Sequence, residues 1–394
     1  MGHLMADSNI GSFEFSVSRY IDLQMFYALL ILLGLGVIMM MSTTVEMSYK
    51  NYDNAFFYAK KHLVFLILGF ITIFTISRIR LVVWEQLGPL MLLASVILLV
   101  MVLVPGVGRT VNGSSRWLAI GPVSLQVSEF AKVAMIVYLS GYIVRHGPKV
   151  QTKFGAFLNP LAVLSIIILL LMLEPDFGSA VVFAATVFIM LYLGGVRITP
   201  FLLFTLCSVG VMILLAISSP YRMERIVSFM DTWADPYNSG FQLTQALIAI
   251  GNGGIFGAGF GESVQKLFYL PEAHNDFVFA VLAEEMGLLG VAVLLATYFI
   301  FIWRCFDLAG RAQKQQMAFA QNLANGLGVW FTLQASISLC VNMGLLPTKG
   351  LSLPFLSVGG SNLLASCIAV GLLVRVYIEV NQQGARKVNK RHRR

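Results

Sequence analysis

Residues 218–276 end in Lys266-Leu-Phe-Tyr-Leu-Pro-Glu-Ala-His-Asn-Asp276 and form a long polar interruption in a chain that is otherwise mostly apolar. Charged residues and glycines are frequent in this interruption, whereas the segments on both sides of it are continuous apolar runs. A polar segment of this length between two apolar segments is a favoured place for binding and catalytic residues. We therefore expect the functional residues to lie in or near it.

The composition of the whole chain is that of an integral membrane protein. Of its 394 residues, 58% are apolar and 12% are charged, and the mean hydropathy is +0.80, whereas a soluble domain carries about 25% charged residues. The apolar segments are long and do not alternate with polar residues, which indicates transmembrane helices and not a β-barrel. The net charge of +8 is concentrated in particular loops, so it relates to topology and lipid headgroups and not to nucleic acid.

The apolar segments predict an all-α polytopic membrane protein with about ten transmembrane helices, each near the roughly 20 residues that a bilayer requires. A large extracytoplasmic loop, 218–276, separates the seventh helix from the eighth. The predicted spans are 23–42, 62–77, 86–104, 126–144, 157–173, 177–196, 198–217, 277–303, 317–343 and 356–375. The predicted parts of the chain are a cytoplasmic N-terminal segment 1–22, a membrane domain 23–380 that includes the loop, and a basic cytoplasmic tail 381–394.

The distribution of charge predicts the orientation. An even number of spans places both termini on one side of the membrane, and lysine and arginine are enriched in cytoplasmic loops. With cytoplasmic termini, most lysines and arginines lie inside and most acidic residues lie outside, so loop 218–276 and Asp276 face outward. The basic tail is interpreted either as a disordered segment that contacts anionic lipid or as a stop-transfer signal.

A polar cluster precedes and begins the fourth span, in Gln126-Val-Ser128-Glu129-Phe-Ala-Lys132. Glu129 and Lys132 are three residues apart and therefore share a helix face, about one turn inside the membrane. Ionised groups at that depth are usually paired or functional, and the spacing leaves two alternatives open. The two residues form an ion pair that holds helices together, or they act with Arg109 and Arg116 on a pyrophosphate.

Two further aspartates have alternative interpretations. Asp176 follows Pro175 in the turn between spans five and six, where capping of the next helix is the default interpretation. Asp276 either caps span eight or acts as a general base, because a carboxylate at a membrane edge loses hydration, which raises its pKa. His274 is a weaker candidate, since a single histidine at a loop end is usually structural.

The remaining polar segments do not predict a cofactor site. Segments 221–229 and 242–250 predict short helices within the loop. The glycines of 251–261 do not predict a dinucleotide site, because no strand precedes them, and they favour close backbone approach to a neighbouring helix or to an anionic headgroup. Segment 347–362, with Lys349 and several small residues, predicts tight helix packing or a broken helix end that lines a cavity.

These blocks, in this order, resemble the FtsW/RodA (SEDS) family of bacterial cell-wall polymerases over nearly the whole chain. The matching motifs are Val111-Asn-Gly-Ser-Ser-Arg-Trp117, Gln126–Lys132, Tyr221-Arg-Met-Glu-Arg-Ile-Val-Ser-Phe229 with Trp233-Ala-Asp-Pro236, and Lys266–Ala280. The first, third and fourth are similar to the cell-division branch of the family. The sequence departs from the family pattern at four positions, namely Val127, Glu174, Val358 and Asn362.

The resemblance implies a peptidoglycan glycosyltransferase that polymerises lipid II on the outer face of the bacterial cytoplasmic membrane at the division septum. It implies that Asp276 is the general base of an inverting reaction at C1 of the donor MurNAc. The implied substrate-binding residues are Arg109, Arg116, Gln126, Ser128, Glu129, Lys132, Lys266 and His274. Such a reaction is compatible with a divalent cation (Mg or Mn) that bridges the lipid pyrophosphate, or with no cofactor, and we see no dedicated protein metal cage in the sequence.

The resemblance further implies a class B penicillin-binding protein and other membrane proteins of the division complex as partners. Two other functions stay open. A lipid II flippase would suit the many spans and the charged pair inside the membrane, although the polar residues concentrate on one side. A non-catalytic scaffold of the division complex is the second alternative.

Overall fold

The computed structural model describes residues 21–111, 114–121, 123–152, 154–196, 198–218, 223, 227–238, 240–267 and 269–392. The helices that precede the polar interruption are α1 Leu23–Tyr52, α2 Phe57–Arg78, α3 Leu81–Leu103, α4 Val127–Thr152, α5 Phe154–Leu173, α6 Phe177–Leu193 and α7 Ile198–Ile217. Those that lie in it or follow it are α8 Phe241–Gly253, α9 Val278–Lys314, α10 Ala318–Asn342 and α11 Gly360–His392.

The polytopic helical fold is confirmed. Helices lie at all ten predicted segments, because a backbone without water must satisfy its polar groups within helices. By length and composition, seven helices of the described residues can cross a membrane, and α5 and α6 add two shorter apolar helices. The number of ten crossings stays a prediction. Helix α8 lies at the second short helix predicted in the loop, whereas most of the first, 221–229, falls outside the described residues.

The outer helices present apolar side chains to their surroundings, as lipid-facing helices do. On α2, Leu63, Ile67 and Phe74 are exposed, whereas Phe65 and Gly69 are buried. The buried side of α2 packs against α11. Helices α4 and α10 form the interior, where α10 contacts α4, α6 and α9. The polar side chains that the sequence places on α4 and α10 are therefore enclosed by helices.

A small sheet, which the sequence analysis did not predict, connects α3 to α4. Its strands are β1 Gly108–Val111, β2 Ser114–Ile120 and β3 Val123–Gln126, paired antiparallel in the order β1-β2-β3. Gly121, with φ +60°, lies in the turn between β2 and β3. Chain reversal at a glycine between two runs of β-favouring residues is a sequence signal for this hairpin.

Helix α9 is broken at Gly287, where φ is 63° and ψ is −164°, although one uninterrupted span was predicted here. The glycine-rich segment 253–261 satisfies the backbone at this break. Ala258 N–H donates to Glu284 O at 2.9 Å, and Leu288 N–H donates to Gly254 O at 3.0 Å. A Cβ on Gly257 would clash with backbone atoms of α9. The predicted close approach of these glycines to a neighbouring helix is confirmed.

Helix α11 extends into the predicted basic tail and ends at His392, whereas a disordered segment was one of the two interpretations of this tail. Arg375 and Glu379 pair one turn apart at 2.7 Å. Farther along, the Gln383 and Lys387 side chains both donate to Gln315 O at 3.2 Å. The Arg375–Glu379 pair, four residues apart, and the contacts with Gln315 at the end of α9 stabilise the helix beyond its apolar segment.

Candidate active site

Asp276 lies in the turn before α9, and its backbone is held by α10. Its N–H donates to Glu272 O at 3.1 Å, and its carbonyl accepts from Asn342 Nδ2 at 2.8 Å. The same Asn342 accepts from Ala280 N–H at 3.3 Å, so one amide links this turn to the start of α9. The cap position of α9 is Phe277, which makes no side-chain capping bond. The structure thus places the N-cap of α9 at Phe277 and not at Asp276.

The Asp276 carboxylate and the Arg116 guanidinium face the same point, which lies beside Gly350. A Cβ built on Gly350 would stand 3.2 Å from Asp276 Oδ2 and 4.0 Å from Arg116 Nη1. Gly350 is exposed, and Asp276 and Arg116 are partly exposed. We call this space the central gap. It brings together a carboxylate and a cation that are distant in sequence and leaves room because residue 350 has no side chain.

The turn between α5 and α6 holds Arg116. Its Nε donates to Glu174 O at 3.3 Å, and its Nη2 donates to Pro175 O. Arg109 lies on the neighbouring strand and is exposed, with its Nη1 donating to Ser124 Oγ at 3.2 Å. The structure thus places Arg116 at the central gap and Arg109 at the outer part of the small sheet.

The predicted ion pair of α4 is confirmed. Lys132 Nζ lies 2.9 Å from Glu129 Oε1, and both side chains are buried. Lys132 also donates to Gln334 Oε1 at 2.9 Å, and that oxygen accepts from Trp330 Nε1 at 2.6 Å. Gln334 Nε2 in turn donates to Ser352 O at 3.1 Å. Lys132 is therefore connected to the segment that carries the central gap through one glutamine.

Asp176 caps α6, as predicted, and accepts from Ser179 N–H at 3.2 Å. Its other oxygen accepts from Gln126 Nε2 at 3.4 Å and from Ser128 Oγ at 3.3 Å. The Gln126 N–H donates to Ser361 Oγ at 2.9 Å. Two predicted binding residues, Gln126 and Ser128, thus connect the starts of α4, α6 and α11.

Lys266 lies in a different environment from the one its predicted role requires. Its Nζ contacts Glu285 Oε1 at 2.7 Å and Ser42 Oγ at 2.8 Å, at the break of α9. None of these contacts involves the central gap. The sequence analysis missed Glu284 and Glu285, although two adjacent glutamates inside an apolar span were a signal. Lys266 is accounted for by this ion pair, and its role with substrate stays a prediction.

His274 is partly buried and lies two residues before Asp276. Its carbonyl accepts from Val358 N–H at 3.0 Å, and its Nε2 lies 3.2 Å from Asn275 Nδ2. Burial lowers the pKa of His274, against the opposing effect of the Glu272 carboxylate. The imidazole is therefore neutral near pH 7. This geometry favours the structural interpretation of His274.

Glu174 is a buried carboxyl group that the sequence analysis noted only as a departure from the family pattern. Its side chain is 0% exposed, and neither carboxyl oxygen has a hydrogen-bond partner among the described residues. Burial and the nearby Asp176 carboxylate raise the pKa of Glu174 to about 8, against the effect of Arg116. Glu174 is therefore mostly protonated near pH 7 and resembles a glutamine.

The segment between α10 and α11 is buried and non-helical over 351–357, so the broken-end alternative describes it better than continuous helix packing. It carries Lys349, whose ammonium lies 4.5 Å from the centroid of the Phe177 ring. A lysine directly before the glycine of the central gap was visible in the sequence. Its contact with α6 was not, because that contact joins positions far apart in the chain.

The groups at the central gap and around it, Arg116, Glu174, Asp276 and Lys349, lie in connections at one end of the helix bundle, since these connections follow α3, α5 and α10 or precede α4, α6, α9 and α11. The fold and the site define a polytopic membrane protein with a carboxylate and arginine at a shared gap. Residues 23–382 match the model of the cell cycle protein family that comprises FtsW, RodA and SpoVE. The chain belongs to this family.

Curated relatives match over most of their length. The chain is 48% identical over 374 residues to the probable peptidoglycan glycosyltransferase FtsW of Thioalkalivibrio sulfidiphilus, covering 95% of this chain and 94% of the relative. It is 51% identical over 358 residues to the protein of the same name from Nitrosococcus halophilus, covering 91% and 92%.

Solved structures agree with this membership. One similar chain comes from a peptidoglycan synthase complex in which polymerization and crosslinking are coordinated, with a TM-score of 0.74, 26% identity and coverage of 91% of this chain and 98% of that chain. Another is the rod shape determining protein RodA of Thermus thermophilus, with a TM-score of 0.66, 25% identity and coverage of 90% and 96%.

Proposed function

We propose that this protein is a peptidoglycan glycosyltransferase that polymerises lipid II into glycan strands, with Asp276 as the general base. The observation that carries the proposal is the central gap, where the Asp276 carboxylate and the Arg116 guanidinium face one point beside Gly350. The relatives named peptidoglycan glycosyltransferase share 48–51% of their residues with this chain over nearly its full length.

The reaction joins two lipid-linked sugars at the membrane surface. The 4-hydroxyl of the acceptor GlcNAc attacks C1 of the donor MurNAc, and its proton passes to the Asp276 carboxylate. The bond from C1 to the diphosphate oxygen breaks with inversion, and undecaprenyl pyrophosphate leaves with the electron pair. One positioned base contributes about 10²- to 10⁴-fold in rate, and Arg116 stabilises the negative charge that grows on the diphosphate.

The other predicted residues lie farther from the central gap and position the residues that border it. Lys132 and Glu129 orient Gln334 and, through it, the segment at Ser352. Gln126 and Ser128 hold Asp176 and with it the turn whose carbonyls fix Arg116. Arg109 is exposed and is free to contact a headgroup beside the sheet. These residues position the site, whereas Asp276 and Arg116 contact the reacting groups.

A divalent cation fits this site only if substrate supplies ligands. Within the described residues, no three His, Cys, Asp or Glu side chains group as a metal cluster. The described contacts leave Glu129 Oε2 unpartnered, and magnesium is commonly held by one or two carboxylates together with substrate phosphates. A bound cation would neutralise diphosphate charge. The steps that we assign to residues of this chain do not depend on it.

The site end of the bundle faces outward from the bacterial cytoplasmic membrane, and both termini are cytoplasmic. What supports this orientation is the opposite end, where Arg304 and Arg311 pair with Asp22 near the chain start. Basic residues concentrate there, as they do in cytoplasmic loops. We place the protein at the division septum with a class B penicillin-binding protein and other division proteins, which is consistent with the synthase complex among its structural neighbours.

Purified full-length protein given lipid II tests the proposal. We expect glycan polymer and release of undecaprenyl pyrophosphate in detergent, measured by gel electrophoresis, with and without the class B penicillin-binding protein. A flippase would instead move lipid II between leaflets of a vesicle and make no polymer under either condition. Absence of polymer in the presence of the partner, together with transbilayer movement of lipid II, would contradict the proposal.

A further inference from the structure

Among the described residues of the membrane domain, Lys349 and Arg116 are partly buried cations that form no salt bridge with a carboxylate. In contrast, other buried or partly buried cations form salt bridges, which include Lys132–Glu129, Lys266–Glu285, Arg304–Asp22, Arg311–Asp307 and Arg375–Glu379. In the same part of the chain, the Lys349 side chain has neither a salt bridge nor a hydrogen bond, and its ammonium contacts the face of the Phe177 ring at 4.5 Å.

The position of Lys349 is fixed by its neighbours. Leu351 N–H donates to Lys349 O at 2.9 Å, which closes a tight turn around Gly350. The side chain of Leu351 packs against Gly178, 3.1 Å from where a Cβ would stand. Phe177 and Gly178 begin α6, directly after the turn whose carbonyls hold Arg116. Lys349 and Arg116 are therefore anchored on the same turn, next to the central gap.

This environment leaves the ammonium unsatisfied. Burial lowers the pKa of Lys349, since a charge removed from water loses hydration. An aromatic face attracts a cation, but it does not accept the three N–H hydrogen bonds that an ammonium can donate. A partly dehydrated cation in the residue next to Gly350, and thus beside the central gap, is suited to an anion that arrives with substrate.

We propose that Lys349 binds the diphosphate of the lipid-linked donor, beside Arg116, and stabilises it as it leaves. This inference rests on the proposed function, because it assigns a ligand to the same gap. The two cations approach the diphosphate from the two segments that border the gap, and Asp276 lies next to the glycine between them. As the bond from C1 breaks, charge grows on the diphosphate oxygens, and charge-assisted hydrogen bonds from both cations strengthen.

Binding of undecaprenyl pyrophosphate to the purified full-length protein in detergent tests this assignment without requiring catalysis. Lys349→Met removes the charge and keeps an apolar stem of similar length over Phe177. We expect affinity to fall about 10- to 100-fold, as for loss of a hydrogen-bonded charge. Lys349→Arg, which keeps the charge, should retain most of the wild-type affinity. The control Lys60→Met, at an exposed lysine of α2, should change the affinity less than about twofold.

A second variant keeps the inference testable if Lys349→Met does not fold. Phe177→Leu leaves the lysine in place but removes the ring that orients it, and we expect an intermediate loss of affinity with an unchanged melting temperature. Undecaprenyl pyrophosphate binding by Lys349→Met equal to that of the wild type would overturn the inference, even if the wild type polymerises lipid II. Lys349-dependent binding by a protein that makes no polymer would support the inference while contradicting the proposed function.

Discussion

At the residue scale, some contacts of the site can be predicted from the spacing of residues in the sequence, and others cannot. Glu129 and Lys132 are three positions apart on one helix, so their ion pair follows from helix geometry. Asp176 follows a proline and precedes an apolar run, so its cap follows from local sequence. The meeting of Arg116 with Asp276 joins segments 160 positions apart in the numbering. No local pattern encodes that contact, and it was available only through family resemblance.

Glu174 provides a prediction at this scale. Its pKa of about 8 in the folded protein lies above the ordinary 4.5, so the folded state holds a proton that the unfolded state releases. Stability from this group is therefore present below about pH 4.5 and falls as the pH rises toward 8. Glu174→Gln, which is neutral at every pH, should raise the melting temperature by about 2–5 °C at pH 8 and by less at pH 5.

Thermal unfolding in detergent at the two pH values measures this effect. Glu262→Gln, at an exposed glutamate of loop 218–276, is the control and should show no such pH dependence. An equal shift of Glu174→Gln at pH 5 and pH 8 would show that the buried carboxyl does not retain its proton in the folded protein.

At the element scale, hydropathy located the helices, because a long apolar segment in a bilayer must satisfy its backbone hydrogen bonds within a helix. It did not locate the break in α9, because the residues after Gly287 continue the apolar run without a change in composition. The break is stabilised by backbone hydrogen bonds from segment 253–261, about thirty positions earlier in the chain. The small sheet was missed for a similar reason, because its short strands gain stability by pairing with one another.

The glycine contact at the break leads to a second prediction. Gly257 has φ +82°, and a Cβ there would clash with the backbone at Glu285. Gly257→Ala should therefore lower the melting temperature by at least about 3 °C. Gly251→Ala is the control, because a Cβ at Gly251 meets nothing within 4 Å, and it should leave the melting temperature within about 1 °C. Equal effects of the two substitutions would mean that the close approach does not stabilise α9.

At the scale of the whole molecule, the site is assembled from connections that all lie at one end of the bundle. The small sheet supplies Arg116, the turn after α5 holds it, the polar interruption supplies Asp276, and the segment after α10 supplies the glycine between them. Helices α4 and α10 support this end through Lys132 and Gln334. The rigid helices fix the relative positions of connections that share no local sequence signal.

The central claim is that the Asp276 carboxylate accepts the proton of the attacking hydroxyl. The most direct measurement is polymerisation of lipid II by purified wild type and Asp276→Asn, with the class B penicillin-binding protein present. We predict that Asp276→Asn lowers the rate by at least about 10²-fold, while its melting temperature and its affinity for undecaprenyl pyrophosphate stay close to those of the wild type. Glycan polymer from Asp276→Asn at a rate near that of the wild type would contradict the account.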